Sequence, residues 1–100
     1  MDIVKAAQGF SAMGSEARME VLQTLVKVGD KGLSVGDIQA RTDIPASTLA
    51  HHLKFLSSAD LITQDKQGRT IINRANFDHL QALGAFILEE CCSEQDQNHE

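Results

Sequence analysis

Apolar residues recur at intervals of three and four along the first 28 positions of the chain. The first set is Ile3, Ala6, Ala7, Phe10 and Met13, and the second is Val21, Leu22, Leu25 and Val26. Because this spacing puts side chains on one face of an α-helix, it predicts helices over residues 3–13 and from Ser15 to about Val28. Gly14 interrupts the pattern, and the Ser15 hydroxyl is a suitable cap for the second helix.

Two further helical segments follow, separated by a short connection. Ser34 with Asp37 three residues later predicts a capped helix of two turns, which ends near Arg41. Pro45 suits a first helical turn, and a longer helix is predicted over about 45–58. Its buried seam is predicted to consist of Leu49, Leu53 and Leu56. A short helix, a turn and a second helix with a polar outer face are typical of a helix-turn-helix.

The period then changes from helical to extended. Leu61–Thr63 and Thr70–Ile72 are β-prone runs, and Gly68 between them can adopt the positive φ of a hairpin turn. This hairpin, with Lys66 and Arg69 at its tip, predicts a wing beside the helix-turn-helix. A last helix, capped by Asn76, is predicted to run to about Cys92. The apolar residues of this helix are Phe77, Leu80, Leu83, Phe86, Ile87 and Leu88. They cover more than one face of the helix, which predicts that a partner chain covers the part that this domain leaves exposed.

Length and composition fit one small folded domain. The chain has 100 residues, of which 42% are hydrophobic and 23% charged, values that exclude a chain disordered throughout. The predicted fold class is mainly α with a small β-hairpin, a winged helix-turn-helix with five helices plus the wing. Residues 1–92 are interpreted as the DNA-binding and dimerisation domain and 93–100 as an acidic flexible tail. The absence of an apolar run near ~20 residues predicts a cytoplasmic protein.

Charge is distributed unevenly along the chain. Residues 1–40 have net charge −1, residues 41–74 have net +2, and residues 75–100 have net −6. An acidic protein can bind a polyanion when its basic side chains are gathered on one face, so the middle third is the candidate DNA-binding region. We expect phosphate contacts from Arg41, Lys54, Lys66 and Arg69, approach to base edges at Ser47, Thr48 and Ala50, and a base or phosphate contact from His51.

His52 is turned about a hundred degrees from His51 on the helix and is predicted to be a half-buried structural residue. The sequence has no nucleophile–base pairing, phosphate loop or metal-ligand cluster, so the chain is not predicted to be an enzyme. No cofactor is predicted.

These motifs together resemble the ArsR/SmtB family of bacterial winged-helix repressors. The resemblance rests on Asp37-Ile38, on the block from Ala50 to Leu56 (AHHLKFL), on Asp60-Leu61-Ile62 and on Lys66-Gln67-Gly68-Arg69; Ala17-Arg18 followed by VLQTL is similar to the family's second helix. It covers roughly residues 3–92. It implies a homodimer built on the first and last helices, a recognition helix at about 46–58 in the major groove, and release from operator DNA by an effector.

Two metal sites found in the family are not matched here. Ser34 and Gly36 stand where some members have the two cysteines of an LCVCDL pattern. Asp78 and His79 are adjacent, and no histidine stands near Glu89 and Glu90, as a zinc site across the dimer would require. We therefore expect a surface or capping role for His79.

Cys91 and Cys92, the only cysteines, are the remaining candidate effector site. The pair resembles arsenic-responsive members of the family that have two adjacent cysteines and a third thiol nearby. This chain has no third thiol, so an arsenite-like metalloid would also need a water, a hydroxide, an organic substituent or a thiol of the other subunit. Three alternatives stay open: sensing of thiol oxidation or sulfur species by the same pair, no small effector, and a winged helix that binds protein rather than DNA.

Overall fold

The computed structural model describes residues 1–95, which form five α-helices and three short β-strands. The helices are α1 (Ile3–Met13), α2 (Glu16–Val28), α3 (Val35–Thr42), α4 (Ala46–Ser58) and α5 (Phe77–Ile87). The strands are β1 (Leu33–Ser34), β2 (Ile62–Gln67) and β3 (Thr70–Ala75), in the antiparallel order β1-β3-β2. The predicted fold class, five helices with a hairpin wing, is confirmed.

Polar side chains begin four of the five helices. Asp2, Ser15, Ser34 and Asn76 each accept a hydrogen bond from the backbone N–H three residues later, at distances between 2.8 and 3.3 Å. These bonds satisfy donors that the first turn of a helix leaves without a partner. The caps predicted at Ser15, Ser34 and Asn76 are confirmed. Pro45 directly precedes α4, with φ −57° already suited to the helix.

The core is aliphatic and joins all five helices to the sheet. Leu49, Leu53 and Leu56 are at most 1% exposed, so the predicted seam of α4 is confirmed. Each such leucine contributes about 1.5–3 kcal/mol through burial. Val26 was predicted to lie on the apolar face of α2, but its side chain is 41% exposed and does not belong to the buried stripe of that helix. The buried apolar residues are Ala6, Ala12, Val21, Leu22, Leu25, Leu33, Ile38, Leu49, Leu53, Leu56, Leu61, Ile62, Ala75 and Leu83.

The hairpin is longer than predicted, and a third strand joins it. The polar residues Gln64–Gln67 continue β2, which leaves only Gly68 and Arg69 in the turn. Strand β1 was not predicted, because a pair of residues is too short to show any periodicity. A buried amide links the three strands: the Asn73 side chain donates to the Leu33 carbonyl (3.2 Å) and accepts from Gln64 Nε2 (2.8 Å).

Helix α5 ends at Ile87, so the prediction that it continues to about Cys92 is wrong. The following residues form turns with hydrogen bonds between positions three apart, such as Cys91 N–H to the Leu88 carbonyl at 2.9 Å. The acidic Glu89 and Glu90 would extend a helix whose last turn has no basic residue, and negative charge at a helix C-terminus opposes the helix dipole. Residues 96–100 of the predicted tail lie outside the described residues. Among residues 1–95, no helix has the length and apolar character that crossing a membrane requires.

Candidate nucleic-acid interface

Hydrogen bonds hold the turn between α3 and α4 in one conformation. Asp43 adopts a left-handed backbone (φ 59°), and its N–H donates to the Gln39 carbonyl at 2.8 Å, a common helix ending. The Thr42 hydroxyl donates to the Ile38 carbonyl (2.9 Å) and accepts from the Ile44 N–H (3.4 Å). The direction in which α4 leaves the turn is therefore defined by local bonds as well as by packing.

Helix α4 presents one face to the core and the opposite face to the outside. The side chains on its outer face are all exposed: Ser47, Thr48, Ala50, His51 and Lys54. No acidic residue occurs in α4. His51, Lys54, Phe55 and Ser58 line one shallow groove of about 340 Å³ along this face. The structure thus places His51 and Lys54 together on a surface without negative charge of its own.

The four predicted phosphate contacts are exposed and take no part in ion pairs within residues 1–95. In that part of the chain, the ion pairs are Lys5 with Asp60 (3.7 Å) and Arg74 with Asp65 (3.4 Å). The exposed cations are Arg41, Lys54, Lys66 and Arg69. A cation without a carboxylate partner can bind a phosphate without first breaking an ion pair.

Arg74 differs from those four basic residues because the protein itself binds it. Its Nε donates to the Asp30 carbonyl at 2.7 Å, and a terminal nitrogen donates to Asp65 Oδ2. Hydrogen bonds from Gln67 and then from Arg74 lower the pKa of the Asp65 carboxyl. Arg74 therefore holds the strands of the wing to the turn that follows α2 and is not grouped with the candidate phosphate contacts.

The wing places its two cations at different positions. Lys66 belongs to β2, opposite Ile71 in β3, whereas Arg69 occupies the turn. Arg69 lines a groove of about 350 Å³ together with Ser34 and Gly36 at the start of α3. The candidate surface therefore extends from α4 to both ends of α3, and Arg69 is beside the N-terminal end and not in the α4 groove.

His52 is half-buried, as predicted. Its Nδ1 is buried and has no hydrogen-bond partner. Burial, then the charge of Arg18, then that of His51 lower the pKa of the His52 imidazole. The neutral form is thereby favoured, which fits a structural residue and not a contact to an anion.

Phe55 and Arg18 form a feature of this surface that sequence reasoning missed. Phe55 is 46% exposed, and its ring meets His51 edge-on with ring centroids 4.9 Å apart. The Arg18 guanidinium lies over the same ring, 4.9 Å from its centroid. A signal was available: Phe55 falls between Leu53 and Leu56, away from the buried seam, so helical periodicity already places its ring on an outer face.

The two cysteines follow α5 and are both exposed, with their Sγ atoms 3.3 Å apart. Two thiols at this separation can bind one soft ion together. Within residues 1–95, no three or more histidine, cysteine or acidic side chains are gathered as a metal site would require. His79 lies in the capped first turn of α5, where its backbone N–H donates to Asn76 Oδ1.

Comparison with known proteins identifies the type of domain that carries this surface. Residues 13–65 match a family of helix-turn-helix domains. The arsenical resistance operon repressor of Bacillus subtilis is 30% identical over 88% of this chain and 79% of its own length. The transcriptional activator HlyU of Vibrio cholerae is 29% identical over 79% of this chain and 70% of its own length. The B. subtilis regulator YceK is 36% identical over 64% of this chain, and the match spans only 63% of YceK.

The fold is also that of a solved regulator. An ArsR-like transcriptional regulator from a Rhodococcus species superposes with a TM-score of 0.78, covering 95% of this chain and 86% of that protein at 29% identity. The matched region includes the helix-turn-helix and the wing. This chain belongs to the ArsR family of winged helix-turn-helix transcriptional regulators.

Proposed function

We propose that this regulator is a cytoplasmic homodimeric repressor that binds double-stranded operator DNA through α3, α4 and the β2–β3 wing. The observation that carries the proposal is the outer face of α4, which is exposed, presents Lys54 and His51 and contains no acidic residue. A helix with such a face fits the major groove, where phosphates flank the base edges on both sides.

Two kinds of contact divide the surface. Arg41, Lys54, Lys66 and Arg69 bind phosphates and set the position of the protein on the duplex. Ser47, Thr48 and Ala50 are small, so the first turns of α4 can approach the base edges closely. His51, with one ring edge against Phe55, presents its imidazole to a base or a phosphate.

Exposed apolar side chains support a homodimer through α1 and α5. Ile3 and Val4 on α1 are 73% and 64% exposed, and Ile87 and Leu88 at the end of α5 are each 65% exposed. The two helices contact each other at Gly9, where a Cβ would approach Leu83 Cδ1 to 2.9 Å. Their apolar side chains therefore belong to one part of the molecule, and a second copy of the chain would remove them from water.

Cys91 and Cys92 form the effector site of the proposed repressor. A trivalent arsenic species would take both thiolates, and its third ligand would come from a water, a hydroxide, an organic substituent or the partner subunit. The effector must bind the DNA-free form better than the DNA-bound form. A tenfold loss of DNA affinity requires only about 1.4 kcal/mol of such difference.

A second candidate effector is an oxidant or a sulfur species that acts on the same pair. The short separation of the two Sγ atoms, 3.3 Å, favours it. A disulfide between neighbouring residues is strained, however, because their Cα atoms are about 3.8 Å apart, closer than the about 4.4–6.8 Å that is usual across a disulfide. We therefore place the metalloid first.

The test is fluorescence anisotropy of the reduced protein on labelled DNA from upstream of its own gene. We expect saturation at two chains per operator, release by arsenite, and no release of the Cys91→Ser, Cys92→Ser double variant at unchanged affinity. Indifference of the unaltered protein to arsenite with release by hydrogen peroxide would favour the second candidate. Absence of binding would contradict DNA recognition. Higher transcription from the bound promoter in vitro would contradict repression and favour the role that the name of HlyU describes.

A further inference from the structure

We propose that Arg18 is a positioning residue for α4, which it connects to the C-terminal turn of α1 through the ring of Phe55. The inference rests on the proposed DNA-binding role of α4. Arg18 itself is not among the proposed DNA contacts.

The Arg18 guanidinium is attached to α1 by hydrogen bonds. Its Nε donates to the Ala12 carbonyl, and a terminal nitrogen donates to the Ser11 carbonyl at 3.4 Å. These carbonyls are in the last turn of α1, where the regular hydrogen bonds of the helix end. The Ser11 carbonyl also accepts from the Gly14 N–H at 3.2 Å. Arg18 belongs to α2, but these hydrogen bonds hold the charged end of its side chain against α1.

The same guanidinium contacts the outer face of α4. Its central carbon lies 4.9 Å from the centroid of the Phe55 ring, a cation–π geometry. Phe55 in turn contacts His51 edge-on at the same centroid distance. A continuous series of contacts thus runs from the end of α1 through Arg18 and Phe55 to His51, which is the side chain proposed to reach DNA.

This series spans an open space. A groove of about 680 Å³ separates parts of α1 and α4, and Arg18 and Phe55 line it together with Ala7, Ser11 and Ser58. The Arg18–Phe55 contact thus adds a link between α1 and α4 across this groove, beside the places where the helices pack directly. Lysine is not an equivalent replacement, because its ammonium is a compact charge without the planar, forked set of donors that the guanidinium presents to the carbonyls and the ring.

The position of α4 is sensitive to such a link. Hydrogen bonds to base edges require a defined distance and direction, so a small displacement of α4 lowers affinity without removing a phosphate contact. A movement of α1, one of the two proposed dimer helices, would reach α4 by the same route. Arg18 thereby connects the proposed dimer interface to the proposed reading helix.

The experiment compares Arg18→Lys, Phe55→Leu and the double variant by operator anisotropy over a range of salt concentrations. We expect each single change to weaken binding about three- to tenfold, with an unchanged salt slope. The operator affinity of the double variant should be no lower than that of the single variant with the lower affinity, because both changes remove the same contact. Lys54→Ala is the matched control, since it should lower the salt slope. Far-UV circular dichroism of each variant serves to check that it is folded.

A second readout requires no DNA. In the free protein, Arg18→Lys should shift the NMR signals of the His51 ring in the same direction as Phe55→Leu, because the first change releases the Phe55 ring from its position beside His51 and the second removes that ring. Unchanged His51 signals in Arg18→Lys would overturn the inference, whether or not the protein binds an operator. Three other results would also overturn it. Single variants could bind the operator like the unaltered protein, or the losses of affinity could be additive in the double variant. The salt slope of Arg18→Gln could also become shallower, as expected for Lys54→Ala. Failure of the unaltered protein to bind DNA contradicts the proposed function instead.

Discussion

Replacing Lys54 by alanine tests the proposed DNA surface directly. Lys54 is exposed on the acid-free face of α4 and is in no ion pair within residues 1–95, so its charge is available to a phosphate. The substitution leaves the fold intact, because alanine favours helix and the side chain contributes nothing to the core. We expect weaker operator binding and a shallower dependence of affinity on salt.

The expected magnitude follows from counterion release. Each phosphate contact on B-DNA contributes a slope of about −0.9 to the plot of log affinity against log salt concentration. A homodimer uses Lys54 twice, so the slope should become shallower by about 1.8. Between about 50 and about 200 mM salt, the ratio of unaltered to variant affinity should therefore fall about twelvefold.

The assay is fluorescence anisotropy at four or more salt concentrations, with Lys27→Ala as the matched control. Lys27 is an exposed lysine in the last turn of α2 and is not part of the proposed surface. The control should retain the slope of the unaltered protein. Equal slopes for Lys54→Ala and the unaltered protein would refute the phosphate contact, and equal loss in both variants would indicate a general charge effect instead of a local contact.

Two further predictions concern the folded state. Gly32→Ala should lower the free energy of unfolding in urea by about 2 kcal/mol more than Gly29→Ala does. Both glycines have positive φ, but only at position 32 would the new Cβ meet a backbone oxygen, that of Asn73, at 2.5 Å. Equal losses in the two variants would contradict this clash. The pKa of His52 is lowered in the folded state, so the unfolded state binds more protons as pH falls through the usual histidine range near ~6.5. Stability should therefore be complete above that range and decline below it, and urea titrations between about pH 5 and pH 8 should show a smaller decline in His52→Gln; an equal decline would assign it to other groups.

Local pattern was sufficient to predict the helices and their caps. The three- and four-residue spacing of leucines and the capping side chains act within one or two turns, so they are visible in the sequence. Exposure of the basic residues of α4 followed from the same spacing. The helix that was predicted too long, α5, ends where Glu89 and Glu90 begin, a charge effect that a count of apolar positions does not include.

Long-range contacts decided the features that were not predicted. Strand β1 exists because β3 lies beside it, and the burial of Asn73 follows from its central position between β1 and β2.

The sequence by itself determined the order of the five helices and the two hairpin strands, the buried seam of α4 and its acid-free outer face, because side-chain periodicity and local capping specify these features. Only the tertiary structure decided that Arg74 is bound within the wing, that Arg69 lies beside α3, and that Arg18 reaches from α2 to both α1 and Phe55. Arg18 is separated from Phe55 by more than 30 positions. Contacts over such separations depend on how the helices pack, and no local pattern encodes that packing.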